Sequence, residues 1–168
     1  HIDVNGIRCN ISLKKFLKDE LDLFVRSIRG EEKSGFELKR LKTNIKAIKG
    51  NVKLERVELE LPHSSIESDS ITVSYNQQNA KDFKIAANID GKKLSPSDFA
   101  AFAPEIIEKI PELKFNIECH SDSILSHASL YVESFNNCIS LKSSATIKNP
   151  YDISRNANIT LSKLELNK

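Results

Sequence analysis

The stretch LKFNIEC, residues 113–119, decides the fold because apolar and polar side chains alternate in it without a break. Leu113, Phe115, Ile117 and Cys119 share one parity, and Lys, Asn and Glu take the other. Successive side chains of a β-strand point to opposite faces of the pleat. The pattern therefore predicts a strand with one dry face and one wet face.

The same alternation recurs along the whole chain, which predicts a mainly β fold built as a meander of antiparallel hairpins. Further runs begin at Ile7, Leu21, Val52, Ile71, Phe83, Ala128, Ile139, Ala145 and Ile159. In the run from Val52 the parity slips once at Glu55-Arg56, which predicts a β-bulge. Turns are expected at Gly30, Ser34-Gly35, Gly50, Asp90-Gly91, Asn136-Asn137 and Asn149-Pro150.

One short helix is expected within residues 95–110, where the chain reads SPSDFAAFAPEIIEKI. Ser95 can cap its start, Pro96 suits the first helical position, and Asp98 can reach back to the exposed amides. An apolar stripe that begins at Phe99 and Phe102 is expected to anchor this helix against the sheet. Residues 13–21 offer a second helix as an alternative to a strand.

Composition favours a folded chain with no preference for nucleic acid. Hydrophobic residues make up 39% and charged residues 29%, and 25 basic against 23 acidic side chains leave a net charge of +2. The basic stretch between Lys39 and Lys53 lacks interleaved aromatics and is expected to be a solvated strand or turn face. The chain opens at His1 and contains no Met, so we expect an internal segment whose membrane anchor, if any, lies elsewhere.

No pattern in the sequence predicts an enzyme, a cofactor or a metal site. GxSxG and GxGxxG are both absent, and the serines around His63 are typical of a polar turn. Cys119 and His120 are neighbours on a predicted strand and should face opposite sides, and the spacings of Cys9, Cys119 and Cys138 fit no zinc module. A disulfide between two of the three cysteines stays open.

The dry face needs a cover, since one short helix is too small to shelter so many strands. The sequence leaves two resolutions open. The sheet can fold over onto itself as a sandwich, or a ligand can lie along the apolar face.

Two stretches resemble the TamB-like members of the AsmA superfamily from Bacteroidetes-type bacteria. Residues 35–75 match the order of two family strands, with Pro62, Ser65 and Ile66 at the family's landmark positions. Residues 94–106, LSPSDFAAFAPEI, are similar to the family's "i-s-x-x-D-l-a-x-F-x-P" helix. The likeness extends over roughly Leu21 to Leu166 and includes no catalytic signature.

This resemblance implies a bridge-like lipid transfer protein or translocation and assembly module. Such a protein is anchored in the bacterial inner membrane, and its periplasmic part is a long twisted sheet curled into a trough, a "β-taco". Residues 1–168 would be a single β-rich segment of that longer repeated sheet. The family is implicated in moving phospholipids between the inner and outer membranes and in outer-membrane biogenesis.

From the dry face and this resemblance together, we expect acyl chains of phospholipid or another lipid to lie along a groove, where burial is worth about 0.8 kcal/mol per methylene. The expected groove-lining residues are Ile71, Val73, Tyr75, Phe83, Ile85, Leu113, Phe115, Ile117, Leu130, Val132, Ile139, Leu141, Ile147, Ile159 and Leu161. One alternative is a structural or assembly module that contacts outer-membrane protein partners through edge strands. The other is an enzyme on a β scaffold, which would need a convergent cluster of titratable side chains.

Overall fold

Ten strands in one antiparallel sheet make up nearly all of the computed structural model, which describes residues 4–76, 79–106, 109–121, 125–148 and 157–167. The strands are β1 Val4–Leu17, β2 Glu20–Glu32, β3 Glu37–Ile48, β4 Asn51–Glu60, β5 Ser65–Asn76, β6 Asn79–Leu94, β7 Leu113–Ser121, β8 Leu125–Ser134, β9 Ile139–Lys148 and β10 Ala157–Leu166. Their spatial order is their sequence order, and the sheet stays open, with β1 and β10 at its edges. The predicted fold class, a long antiparallel meander, is confirmed.

Of the six predicted turns, three form, two lie inside strands and one lies outside the described residues. Turns at Ser34-Gly35, Gly50 and Asn136-Asn137 are confirmed, whereas Asn149-Pro150 lies outside the described residues. Gly30 and Gly91 were wrong as turns, because both lie inside strands. The helix considered for 13–21 was wrong as well, since β1 continues to Leu17 and a two-residue turn leads into β2.

Gly91 is a glycine because of an aromatic ring on the next strand. It pairs with Phe115, and a Cβ built on Gly91 would lie 2.1 Å from Cε1 of that ring. A glycine within a strand is typical of such a close approach. The sequence signal that resembled a turn is therefore a packing signal.

Register shifts lie near the middle of several strands. The bulge predicted at Glu55-Arg56 is confirmed, since the register of β3 against β4 shifts there and Arg56 has φ +54°. Comparable shifts lie beside Val25 in β2, between Glu67 and Ile71 in β5, and between Leu161 and Lys163 in β10. Bulges of this kind bend a strand and increase its local twist.

The wet face carries ion pairs within and between strands, and the basic stretch from Lys39 to Lys53 supplies many of the cations. Glu55 accepts from Lys53 at 2.8 Å and from Lys46 at 2.9 Å. These hydrogen bonds, with the one from Lys53 the stronger, lower the pKa of Glu55 to about 2. Glu58 likewise has a lowered pKa, chiefly through its 2.6 Å hydrogen bond from Lys42. The prediction that this stretch forms a solvated strand face agrees with these partly exposed pairs.

The segment expected to be a helix forms two short 3₁₀ helices, Pro96–Phe99 and Pro104–Ile106. We call residues 95–106 the capping segment. Ser95 makes no capping hydrogen bond to the backbone, and Pro104 lacks the amide proton that a continuous α-helix would need there. The expected cap was wrong: the hydroxyl of Ser95 lies 2.8 Å from that of Ser97, and Asp98 binds the turn between β4 and β5.

Asp98 fastens the capping segment to the turn between β4 and β5. This aspartate is buried, and its carboxylate accepts from the backbone amide of His63 at 3.0 Å and from the hydroxyl of Ser64 at 2.5 Å. The same hydroxyl accepts from the backbone amide of Ser95 at 2.9 Å. We call Ser64, Ser95 and Asp98 the latch, and it fixes the segment over the ends of β4 and β5.

Three phenylalanines extend this contact as far as the start of β3. The ring of Phe36 lies 5.3 Å from that of Phe102 and 6.4 Å from that of Phe99, both within the range of favourable aromatic pairs. Phe102 remains 59% exposed. The expected apolar stripe is therefore only a partial anchor, and the segment covers one end of the sheet rather than its floor.

Candidate lipid-binding face

The dry face is one continuous apolar surface, because the register aligns its side chains from strand to strand. Residues directly opposite each other in an antiparallel pair lie on the same face. One unbroken row crosses all ten strands through Leu13, Leu23, Ile45, Leu54, Ile71, Ala87, Cys119, Ala128, Ala145 and Ile159. No charged residue interrupts it.

The register places the predicted groove-lining residues on this same face. Val73 pairs with Ile85, and Phe115 pairs with Val132. Within β9, Ile139, Leu141 and Ile147 share the parity that faces the dry side. The remaining positions also have the parity of the dry face in their strands. The backbone of Phe83 lies opposite Tyr75, but the structure does not describe the side chain of Phe83.

Small side chains form a shallow groove across β6 to β9 within the dry face. Ala87, Cys119, Ala128 and Ala145 occupy four successive positions of the continuous row. Larger residues stand on either side, with Ile85 and Ile147 toward one end of the strands and Ile117 and Leu130 toward the other. The groove runs across the strands, so its length is set by the number of strands.

The dry face is not sealed by the protein's own side chains. Among the described residues only Val25 and Leu61 are fully buried hydrophobics. The groove-lining residues of β7 to β9 are half-buried by their neighbours, whereas Tyr75 is 47% exposed and Ile159 on the edge strand is 77% exposed. A large apolar surface therefore remains open to a ligand.

The apolar row extends beyond the strands that carry the expected groove-lining residues. These residues begin at β5, yet Leu23, Ile45 and Leu54 belong to the same row and lie on β2, β3 and β4. The signal that identifies them is the same alternation used for the later strands. Sequence reasoning missed them because the strand order, which shows that all ten strands share one face, comes from the structure.

The polar turn that contains His63 and Ser64 does not pair the serine hydroxyl with the histidine ring. Ser64 donates directly to Asp98, and His63 joins that pair through its backbone amide rather than its ring. No group of three or more His, Cys, Asp or Glu side chains in this part could hold a metal ion. All three cysteines are free thiols, with Cys119 on the dry face and Cys9 exposed.

Comparison with protein-family models, with curated proteins and with solved structures finds no match for this chain. Within the described residues, no helix is long and apolar enough to cross a membrane. The class of protein is therefore set by the fold alone: an open ten-stranded antiparallel meander with one uncovered apolar face.

Proposed function

We propose that this chain is a lipid-binding segment of a periplasmic TamB/AsmA-like protein, in which acyl chains lie on the dry face. The supporting observation is the apolar row that crosses all ten strands without a cover. The sequence left open a sandwich in which the sheet folds over onto itself, but the strands contact their ladder neighbours in a single open sheet. An exposed apolar surface that extends across ten strands is typical of a binding site.

The groove of small residues supplies a place for an extended hydrocarbon chain. An acyl chain along Ala87, Cys119 and Ala128 would be flanked by the larger Ile117 and Leu130. Each buried methylene stabilises such a complex by about 0.8 kcal/mol. The charged headgroup stays in water beyond the sheet, and the chemistry needs no nucleophile, metal or cofactor.

Location in the periplasm, an anchor in the inner membrane and transfer of phospholipid toward the outer membrane follow from the family resemblance. They belong to the proposal for the whole protein, of which this chain supplies the apolar surface. The capping segment fits this function because it covers one end of β3 to β6 and leaves the rest of the dry face open.

A pair of charge substitutions on adjacent residues tests the proposal. Ala128 lies on the dry face within the groove, and Ser129 is its neighbour on the wet face. We expect Ala128→Glu to weaken binding of a fluorescent fatty acid by more than about tenfold, since a carboxylate there must be desolvated beside the chain. Ser129→Glu is the matched control and should bind as the wild type does.

A second readout uses the natural thiols. Bound phosphatidylethanolamine should slow alkylation of Cys119 by a maleimide, while Cys138, in the turn between β8 and β9, should react at an unchanged rate. Native mass spectrometry should find phospholipid in the purified protein. The proposal would be refuted if Ala128→Glu and Ser129→Glu changed fatty-acid binding equally and phospholipid did not protect Cys119 from alkylation.

The edge strands favour a second candidate function, an assembly module that recruits a protein partner by β-augmentation. β1 and β10 each have one unpaired side, and their apolar residues are the most exposed of the sheet, with Phe16 at 75% and Ile159 at 77%. An exposed edge can accept an added strand from a partner. A proline substituted in β10 at a position whose amide points away from β9 should then abolish partner capture without changing fatty-acid binding, whereas lipid binding alone predicts no such partner.

A further inference from the structure

We propose that His120 and His127 form a two-ligand site for a divalent transition-metal ion on the wet face of the sheet. The two histidines are 7 residues apart in sequence and lie directly opposite each other, on β7 and β8. Opposed residues of an antiparallel pair have Cβ atoms roughly 5 Å apart, so two imidazoles can converge on one ion.

One hydrogen bond orients the His127 ring for this role. The hydroxyl of Thr146, which pairs with His127 on β9, lies 3.2 Å from its Nδ1. A metal-binding imidazole usually donates from its second nitrogen to an oxygen, which fixes the ring and leaves the other nitrogen for the ion. With Nδ1 directed at Thr146, the Nε2 of His127 is free to bind.

The surroundings leave the pair open. Both histidines are exposed, and the neighbour of His120 on the other side is Ala86, which is also exposed. A depression of about 390 Å³ is lined by both histidines, Ser129, Ser144 and Thr146, together with Cys119, Ala128 and Ala145, whose side chains lie on the dry face. Glu118, two residues before His120 on the same face, also lines the depression and adds a negative charge.

This site differs from a combination of Cys119 with His120, which are neighbours in the sequence. Cys119 lies on the dry face and cannot join a site on the wet face. With two protein ligands, the remaining coordination positions are left to water. Imidazole ligands suit Cu²⁺, Ni²⁺ and Zn²⁺, and Cu²⁺ should bind most tightly of the three.

Titration of the full chain with Cu²⁺, followed by calorimetry and by electron paramagnetic resonance, tests this site. We expect one ion per chain with a spectrum of two nitrogen ligands. His120→Ala and His127→Ala should each weaken binding by more than about tenfold, at least the cost of losing a supporting residue around a metal. Thr146→Val should weaken it less, because it removes only the orienting hydrogen bond.

Two other histidines provide matched controls. His63→Ala and His1→Ala should each leave the affinity of this ion unchanged, and circular dichroism should confirm that every variant folds. Equal binding by the wild type and by the His120→Ala, His127→Ala double variant would overturn the proposal. A spectrum with a single nitrogen ligand, or loss of the ion in His1→Ala, would do so too. None of these results bears on the lipid proposal, which concerns the opposite face.

Discussion

The inner strand β7 and the edge strand β1 carry the same alternating pattern, but their apolar side chains differ in burial. In β7 the apolar residues Leu113, Phe115 and Ile117 are half-buried between neighbours on both sides. In β1 the corresponding residues are exposed, with Leu13 at 61% and Phe16 at 75%. Alternation therefore decides the face of a side chain, whereas position in the sheet decides its burial.

The largest effect is expected where inner strands pack most closely, at Gly91. In Gly91→Val the new side chain must displace the ring of Phe115, which lies where its Cβ would be. We expect a loss of about 3 kcal/mol in the free energy of unfolding, measured with urea. Ala87→Val, on the same strand and face but in the open groove, should cost under about 1 kcal/mol. Equal costs would show that the inner strands are packed no more closely at Gly91 than in the groove.

The second largest loss of stability is expected at the latch. Asp98→Ala removes the acceptor of the His63 amide and the Ser64 hydroxyl, and hydrogen bonds to a charged group are worth about 2 kcal/mol. Unfolding in urea should show this loss, and limited proteolysis should cut the capping segment sooner. In His63→Ala the backbone amide remains, so stability should change by less than about 0.5 kcal/mol. If His63→Ala were as damaging as Asp98→Ala, the carboxylate would not be what holds the segment.

A direct comparison of inner and edge positions uses two isoleucines on the dry face. Ile117→Ser on β7 should cost about 1.5 kcal/mol, because its side chain is half-buried. Ile159→Ser on β10 should cost less than about 0.5 kcal/mol, because that side chain is 77% exposed. Thermal unfolding of both variants checks the difference. A large loss at Ile159 would mean that the edge is covered in solution, for example by a second chain.

The smallest effect is expected on the wet face, from Glu55. Its pKa is lowered from 4.5 to about 2, so its ion pairs stabilise the fold fully above pH 4.5 and progressively less as the pH falls toward 2. Glu55→Gln should lower the urea midpoint slightly at pH 7, and the gap from the wild type should shrink below pH 4.5. Salt at about 1 M should shrink it as well, because these partly exposed charges are screened. A gap independent of pH would show that the charge of Glu55 is not responsible.

The capping segment shows where sequence reasoning stopped. The sequence predicts helical roles for three of its residues: Ser95 as the cap, Asp98 as a partner of the exposed amides, and Phe102 in the apolar stripe. Asp98 instead binds the turn that contains His63 and Ser64, 35 and 34 residues away along the chain. The same limit applies to His120 and His127, whose pairing depends on the register of β7 against β8 and not on any motif.

The sequence by itself determined the bulge at Arg56, the two faces and every strand apart from β3, which only the family resemblance indicated. Alternation with period two acts within each strand and needs no knowledge of its neighbours. The runs at Ile139 and Ala145 belong to one strand, β9. Only the tertiary structure decided that the strands follow one another in a single open sheet. It also decided that β1 and β10 are edges, that Gly91 lies under Phe115, and that the capping segment is held by Asp98. Those outcomes depend on contacts between residues far apart in the chain, and a local pattern carries no information about which distant strand or turn will be its neighbour.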